Sequence, residues 1–394
     1  MVREAIGSDK VYTSGTRRSV APAATLERLR PHLARMGITR IGNVTGLDRI
    51  GIPTVMVCRP NARSIAVSQG KGADLDAAKA SGVMEASELW HAENVKLPLR
   101  LASCSELRAE ADTVDLGRPL PAGSRPFHED LPILWVEGEN LVSRRPRWVP
   151  FEVVGADYTL PSPIGSGCFQ ATTNGLASGN TWHEAVLHAL CEVIERDATA
   201  RWRAGGGPRA GGRLDLATVD DPLCASLIRR IDAAGLGLAV WDVTSEVAVP
   251  TFECVIVDRG EGADPESGAG CHPAPEVALA RALTEAAQAR LTWIAGVRDD
   301  LAPAFFRARA RRQRAAVARE WLVPRGPLAA FGGRGGCETF SSAGDVAEVM
   351  ARLERAGFPE AVVVDLSRAE IGIAVVRVVV PGLLGPLHGA DGRA

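Results

Sequence analysis

The feature that most constrains this chain is a helix-length run from Thr181 to Arg203 that is apolar over most of its circumference and still carries carboxylates. Ala185, Leu187, Ala189, Leu190, Val193 and Ile194 leave little of it for water, yet Glu184, Glu192 and Glu195 lie within it. At about 100° per residue these three, at i, i+8 and i+11, share a face roughly 80° wide, with Arg196 beside them. Two more helix-length segments carry stripes. Ser81, Glu85 and Glu88 fall at i, i+4 and i+7, within roughly 60° of one another. Arg281, Glu285 and Gln288 repeat that spacing.

A solvated face is the ordinary reading of a charge stripe. Here the apolar neighbours argue against it, and no lysine lies on the second helix to pair with the row. Like charges at helical spacing repel, so a cation is expected. Mg²⁺ takes carboxylate oxygens, keeps waters and bridges to phosphates. Glu85, Glu88, Glu184, Glu192 and Glu195, from two helices, suit Mg²⁺ on a nucleotide. Phosphate donors are available in Lys71 of Gln-Gly-Lys-Gly (69–72), Arg196, Arg290, and Arg17 or Arg18. The 69–72 segment lacks the spacing of a P-loop and alone reads equally as a turn. Thr173-Asn174-Gly175 and Gly179-Asn180-Thr181 precede the second helix, where Asn180 or Thr181 is a natural N-cap and free amides can face an anion. The residues outline a Mg²⁺-nucleotide site built from helix faces.

Composition excludes several alternatives. The 394 residues are 46% hydrophobic and 23% charged, with a net charge of −2, so no basic field draws the chain to nucleic acid or anionic membrane. The longest apolar stretch, Ile371 to Gly385, is broken by Arg377 and Pro381 and falls short of the roughly 20 residues that span a bilayer. The N-terminus has no signal-peptide core, and a cytoplasmic location is expected. Eight cysteines form no CxxC pair, which reads as buried, reduced thiols. Cys168, in a glycine-rich loop, is read as filler or a nucleophile.

Helices are expected over Thr25–Met36, Asp74–Ala92, Thr181–Arg203, Ile228–Ala234 and Val277–Ala295. Strands are expected over Pro53–Cys58, Arg63–Val67, Leu131–Val136, Trp148–Val154, Leu238–Val243, Thr251–Val257, Val362–Val364 and Ile373–Val380. Short β runs followed by long helices, three times over, predict a mixed α/β (α+β) architecture.

The segment TTNGLASGNTWHEAVLHALCEVIERDA (172–198) resembles the signature helix of the YcaO family. SGVMEASE (81–88) resembles its earlier motif, and RALTEAAQAR (281–290) with GVRDD (296–300) its later one. The resemblance extends from about residue 10 to 385. It implies a YcaO-like fold with pseudo-repeated strand and long-helix units, a non-Walker ATP site and Mg²⁺ on helix glutamates. It assigns Ser81, Asn180, Glu184, Gln288 and Arg290 to the nucleotide, with Arg18 and Thr25 as an N-terminal basic residue and hydroxyl; Lys71 and Asn174 join the expected ATP contacts. Glu85, Glu88, Glu184, Glu192 and Glu195 are the expected metal ligands. Arg196 and Arg290 are the expected catalytic pair at the γ-phosphate. The expected organisation is an N-terminal segment, 1–62, contributing to the nucleotide site, and a catalytic domain, 63–394.

Members of that family activate a peptide backbone amide with ATP. The segment GITRIGNVTGLDRIGIPTVMVCRPNARSIAVSQGKG (37–72) resembles the TfuA-associated branch, which implies thioamide formation on a ribosomally made peptide or protein. The expected partners are a TfuA-like protein, the precursor peptide or protein and a sulfide source. No nucleic acid or membrane partner is expected, and a homodimer is open. The ending VPGLLGPLHGADGRA carries no proline-rich tail of the azoline-forming kind, and has Leu384 where the branch is expected to carry glutamate. Two other functions stay open: an azoline-forming cyclodehydratase, and a nucleotide-binding accessory protein. His183, His188 and His272 are read as structural, and the arginine-rich run Phe306–Arg319 as a solvated helix or a docking face.

Overall fold

The computed structural model describes residues 9–118, 120, 122–209, 211–259, 265–297 and 307–385. In the first half lie α1 (Pro22–Leu29), β1 (Arg40–Asn43), β2 (Thr54–Cys58), β3 (Val67–Lys71), α2 (Leu75–Glu93), β4 (Leu99–Ala102), α3 (Cys104–Arg108), β5 (Ile133–Asn140) and β6 (Pro146–Pro150). There follow β7 (Leu176–Gly179), α4 (Trp182–Ala204), α5 (Pro222–Ala233), β8 (Leu236–Asp242), β9 (Thr251–Asp258), β10 (Glu266–Cys271), α6 (Pro275–Ala295), α7 (Ala308–Trp321), α8 (Ser342–Arg355), β11 (Val362–Asp365) and β12 (Ala374–Val379).

The architecture is mixed α/β, as expected. The strands form three antiparallel sheets: β1-β2-β3, β10-β9-β8, and β4-β5-β11-β12-β7 with β6 beside β5. Among the described residues no helix is long and apolar enough to cross a membrane.

Three strand-to-helix units position the site: β3 into α2, β7 into α4 and β10 into α6. Each helix has a local reason to start where it does. The Asp74 side chain accepts from Ala77 N at 2.8 Å, and Thr181 Oγ1 accepts from Glu184 N at 3.2 Å. Pro275 opens α6, where its missing N–H costs nothing. Glycines let each helix lie directly on its strand. A Cβ on Gly70 would collide with Ala78 O, one on Gly268 with Ala282 O and one on Gly270 with Ala278 O. Gly179 is pressed against the start of α4 in the same way.

Separate apolar clusters fill the spaces. One joins α2 to β4 and β5 through Val83, Leu89, Ala102, Trp135 and Val136. Another packs Leu190 and Ile194 of α4 against Val349 and Leu353 of α8 and Val376 of β12. A third sets Leu279 and Leu283 of α6 on Phe252 and Ile256 of β9.

Two expectations are corrected. The first helix stops at Leu29, before Pro31, and a 3₁₀ turn over Arg30–His32 replaces its second half, since Pro31 lacks the N–H that the next α-turn needs. The strand expected over Arg63–Val67 begins at Val67 instead. Gln69, Gly70 and Lys71 are therefore strand residues paired to β2 and not a turn.

Candidate functional site

The three units bring their polar stripes onto one face. Glu85, Glu88 and Glu195 are each held by a strand backbone, Glu285 by a strand side chain and Glu192 by its own helix. On α2, Glu85 is hydrogen-bonded by the backbone of Gln69. Glu88 Oε1 accepts from Ser178 N at 2.8 Å and Ser178 Oγ at 2.6 Å. On α4, Glu195 Oε2 accepts from Cys271 N at 3.0 Å, and Glu192 Oε1 lies 3.8 Å from Arg196 Nη2. On α6, Glu285 Oε2 lies 2.6 Å from Lys71 Nζ.

The electrostatics follow from crowding. Glu85, Glu88 and Glu192 keep a partial opening to solvent, while Glu195 is buried. Burial pushes Glu85 up to about 7, with Glu192 and Glu285 adding repulsion against the pull of Lys71. Burial likewise pushes Glu88 up to about 8, and Glu85 and Glu192 raise it further against the Ser178 hydroxyl. Glu192 rises to about 7 by burial, with Arg196 opposing and Glu195 repelling. Glu195 is raised by burial and by Glu285. Glu285 goes the other way: Lys71 and Arg196 outweigh its burial and hold it below the ordinary value. Displaced carboxylates of this kind concentrate at functional sites.

Of the five expected metal ligands, Glu85, Glu88, Glu192 and Glu195 are brought together. Glu184 stands apart. It accepts from the backbone N–H of Ser19 and from Asn180 N at 3.0 Å, and Arg18 Nη1 lies 3.6 Å from it. These contacts overcome burial and hold its carboxyl below the usual range. The N-terminal arm thus reaches α4 directly, and Thr25 Oγ1 donates to Asn180 Oδ1 at 2.8 Å. Ser81 lies one turn before Glu85. Arg290 Nε is 3.0 Å from Asp48 Oδ2, and Gln288 lies on the same helix one turn after Glu285. Of the GVRDD segment, residues 298–300 lie outside the described residues, as do residues 386–394 of the C-terminal ending.

Three residues of this region were not assigned to the site from the sequence. Arg281 Nη2 is 2.6 Å from His188 Nε2; burial, and then the Arg281 charge, hold His188 well below the ordinary range. Glu285 pairs with Lys71. Both belong to the third helical stripe, which was the available signal. Arg377, buried in β12 and facing Glu192, showed only as a charged residue inside an apolar run.

Among the described residues no three His, Cys, Asp or Glu side chains form a ready-made metal cage. The donor set fits Mg²⁺ all the same. Partly opened carboxylate oxygens that repel one another accept a divalent cation, and phosphate and water complete its shell. Arg196, Lys71, Arg281 and Arg18 ring the face with positive charge suited to phosphate. Fold and site together define a mixed α/β protein whose helix carboxylates and surrounding cations suit Mg²⁺ and phosphate, and whose 69–72 segment is not a P-loop.

Comparison with known proteins agrees. The family model of the YcaO cyclodehydratases, described as ATP- and Mg²⁺-binding, matches residues 69–384. The chain is 38% identical over 380 residues to a Rhizobium leguminosarum bv. trifolii protein of the tfuA 3′ region, covering 93% of this chain and 88% of that one. It is 36% identical over 373 residues to a Methanothermobacter thermautotrophicus protein, covering 93% and 94%. The structure of YcaO from Methanopyrus kandleri bound with AMPPCP and Mg²⁺ superposes with a TM-score of 0.75 at 25% identity, over 95% of this chain and 94% of that one. A heterocyclase in complex with substrate and cofactor shares the fold, with a TM-score of 0.80 at 21% identity over 98% of this chain; the chain spans 55% of that protein's length. The chain belongs to the YcaO family, whose activity is ATP-dependent peptide modification, and is linked by the tfuA-region relative to the TfuA-associated branch.

Proposed function

We propose that this protein replaces the oxygen of a peptide backbone amide by sulfur, on a ribosomally made peptide or protein, with a TfuA-like partner delivering the sulfide. The likeness to the tfuA-region protein, 38% identity over 93% of this chain, carries the reading. ATP, when bound, supplies the phosphoryl group that lets the amide oxygen leave as phosphate, so that carbon–oxygen gives way to carbon–sulfur.

The chain's own residues bind and orient. Glu85, Glu88, Glu192 and Glu195 would hold Mg²⁺, and Lys71 with Glu285 ties β3 to α6. Arg196 and Arg290 are assigned to the developing phosphate charge, the kind of electrostatic stabilisation that dominates phosphoryl transfer. The arm containing Arg18, Ser19 and Thr25 acts through Asn180 and Glu184 to close the nucleotide side, the role assigned to residues 1–62.

The test is mass spectrometry of the precursor peptide incubated with this protein, the TfuA-like partner, ATP and sulfide. The reading expects a mass gain equal to sulfur for oxygen. Loss of one water would mean azoline formation, and an unmodified peptide in the presence of ATP would mean an accessory role.

A further inference from the structure

Arg281 and His188 meet between two of the helices that carry the site. His188 lies on α4, one turn after Glu184 and one before Glu192; Arg281 lies on α6, one turn before Glu285. Arg281 Nη2 is 2.6 Å from His188 Nε2. A guanidinium only donates, so Nε2 accepts, and the ring is neutral with its proton on Nδ1. Burial, then the charges of Arg281 on α6, Arg18 on the N-terminal arm and Lys71 on β3, with His272 before α6, hold His188 well below its ordinary range, which agrees with a neutral ring. Nδ1 is buried and has no partner among the described residues. The tautomer is therefore set by Arg281 and not by any need of Nδ1, since the hydrogen bond at one ring nitrogen decides the proton on the other.

The other cations of this face each meet a carboxylate. Arg18 meets Glu184 at 3.6 Å, Lys71 meets Glu285 at 2.6 Å, Arg196 meets Glu192 at 3.8 Å and Arg290 meets Asp48 at 3.0 Å. Among the described residues Arg281 meets none within ion-pair distance; its hydrogen bond goes to His188. Its charge still reaches the face, where it opposes the upward push of burial at Glu192, Glu195 and Glu285. Arg281 is also partly exposed. A carboxylate would fix the guanidinium and cancel its charge together. An imidazole fixes it and leaves the charge whole, and an anion gains most from an arginine held in that way.

We infer that His188 is a positioning residue for the nucleotide: its neutral Nε2 fixes the Arg281 guanidinium toward the phosphates and leaves its charge uncancelled. This role rests on the Mg²⁺-ATP reading of the face and is independent of sulfur exchange.

Two measurements on the full chain test it. Nitrogen-15 NMR of histidine-labelled protein at neutral pH reads the ring, with His188→Gln identifying its signals by their loss. The expected ring is neutral and protonated on Nδ1; a proton on Nε2, or a charged ring, overturns the role. Calorimetry reads the affinity for Mg²⁺ with AMPPCP. Arg281→Met should weaken it by about tenfold or more and His188→Leu by about fivefold, the scale of a hydrogen bond to a charged group. The two changes together should be no weaker than Arg281→Met alone, because His188 acts through that guanidinium. His188→Gln, whose amide oxygen still accepts from Arg281, should stay within about threefold of the wild type. A histidine that merely ties α4 to α6 would lower stability in urea and leave the affinity of folded His188→Leu unchanged, or would add its loss to that of Arg281→Met; either result overturns the role. Should His188→Leu fail to fold, wild-type affinity in Arg281→Met, or a loss in His188→Gln as large as in Arg281→Met, overturns it. Binding of AMPPCP that is equal in wild type and variants removes the role and leaves the nucleotide site standing; no binding to the wild type removes both.

Discussion

Lys71 Nζ lies 2.6 Å from Glu285 Oε2, joining the last residue of β3 to the middle of α6. Both side chains are mostly buried, at 20% and 29% exposure, so neither is readily neutralised by water alone. Lys71→Met leaves Glu285 among Glu85 and Glu195 without its nearest cation. The expected outcome in urea denaturation is a loss of stability that Glu285→Gln in the same chain largely restores, with a coupling of about 1 kcal/mol. Additive losses would show that the two residues do not act as a pair.

Glu88 has the pH dependence that is easiest to read. Burial, then repulsion from Glu85 and Glu192, raises it from 4.5 to about 8 against the hydrogen bonds from Ser178. Between those values the folded protein retains a proton that the unfolded chain has released. The stabilisation is complete below the lower value and is lost as pH rises through the upper one. The quantity to measure is the unfolding free energy of wild type minus that of Glu88→Gln, in Mg²⁺-free buffer. It should decline from about pH 4.5 to about pH 8; a difference independent of pH would contradict the assignment.

The helices α2, α4 and α6 were legible in the sequence because caps and apolar spacing agree along each of them. The strands that feed them were not. Gly70 in β3, Gly179 in β7 and Gly268 and Gly270 in β10 are there because a side chain would strike the helix above. Glycine is a poor strand former, so the local signal vanishes where tertiary contact is closest. β10 and β7 were missed for that reason and β3 was misplaced. The glutamates were found because helical periodicity aligns them. Arg377 was not, because a single arginine in a β run has no periodic partner, and its surroundings, Val153, Thr172 and Glu192, are distant in sequence.

Arg196 and Arg290 separate in their expected effects. Arg196→Ala should slow ATP turnover by about 10², the scale of losing one electrostatic stabiliser, and should lower stability by removing a cation that opposes Glu192, Glu195 and Glu285, a loss that Asp48→Asn does not touch. Arg290→Ala should slow turnover similarly and also destabilise the fold, because Asp48, 4% exposed, is left as a buried unpaired charge. Adding Asp48→Asn should restore stability and not turnover. Arg307→Ala, at the exposed start of α7, should leave turnover near normal. Equal losses of turnover at Arg196, Arg290 and Arg307 would remove the phosphate assignment.

The proposed metal site rests on carboxylates of α2 and α4, and not on a P-loop. Mn²⁺ in place of Mg²⁺ makes the metal visible by electron paramagnetic resonance, with free Mn²⁺ titrated in the presence of AMPPCP. Binding should be nucleotide-dependent and weakened by about tenfold or more in each of Glu85→Gln and Glu192→Gln, as expected for loss of a charged contact. Circular dichroism should be unchanged in both, and Glu27→Gln, on the surface of α1, should bind as the wild type does. Wild-type Mn²⁺ affinity in both Glu85→Gln and Glu192→Gln would contradict the account.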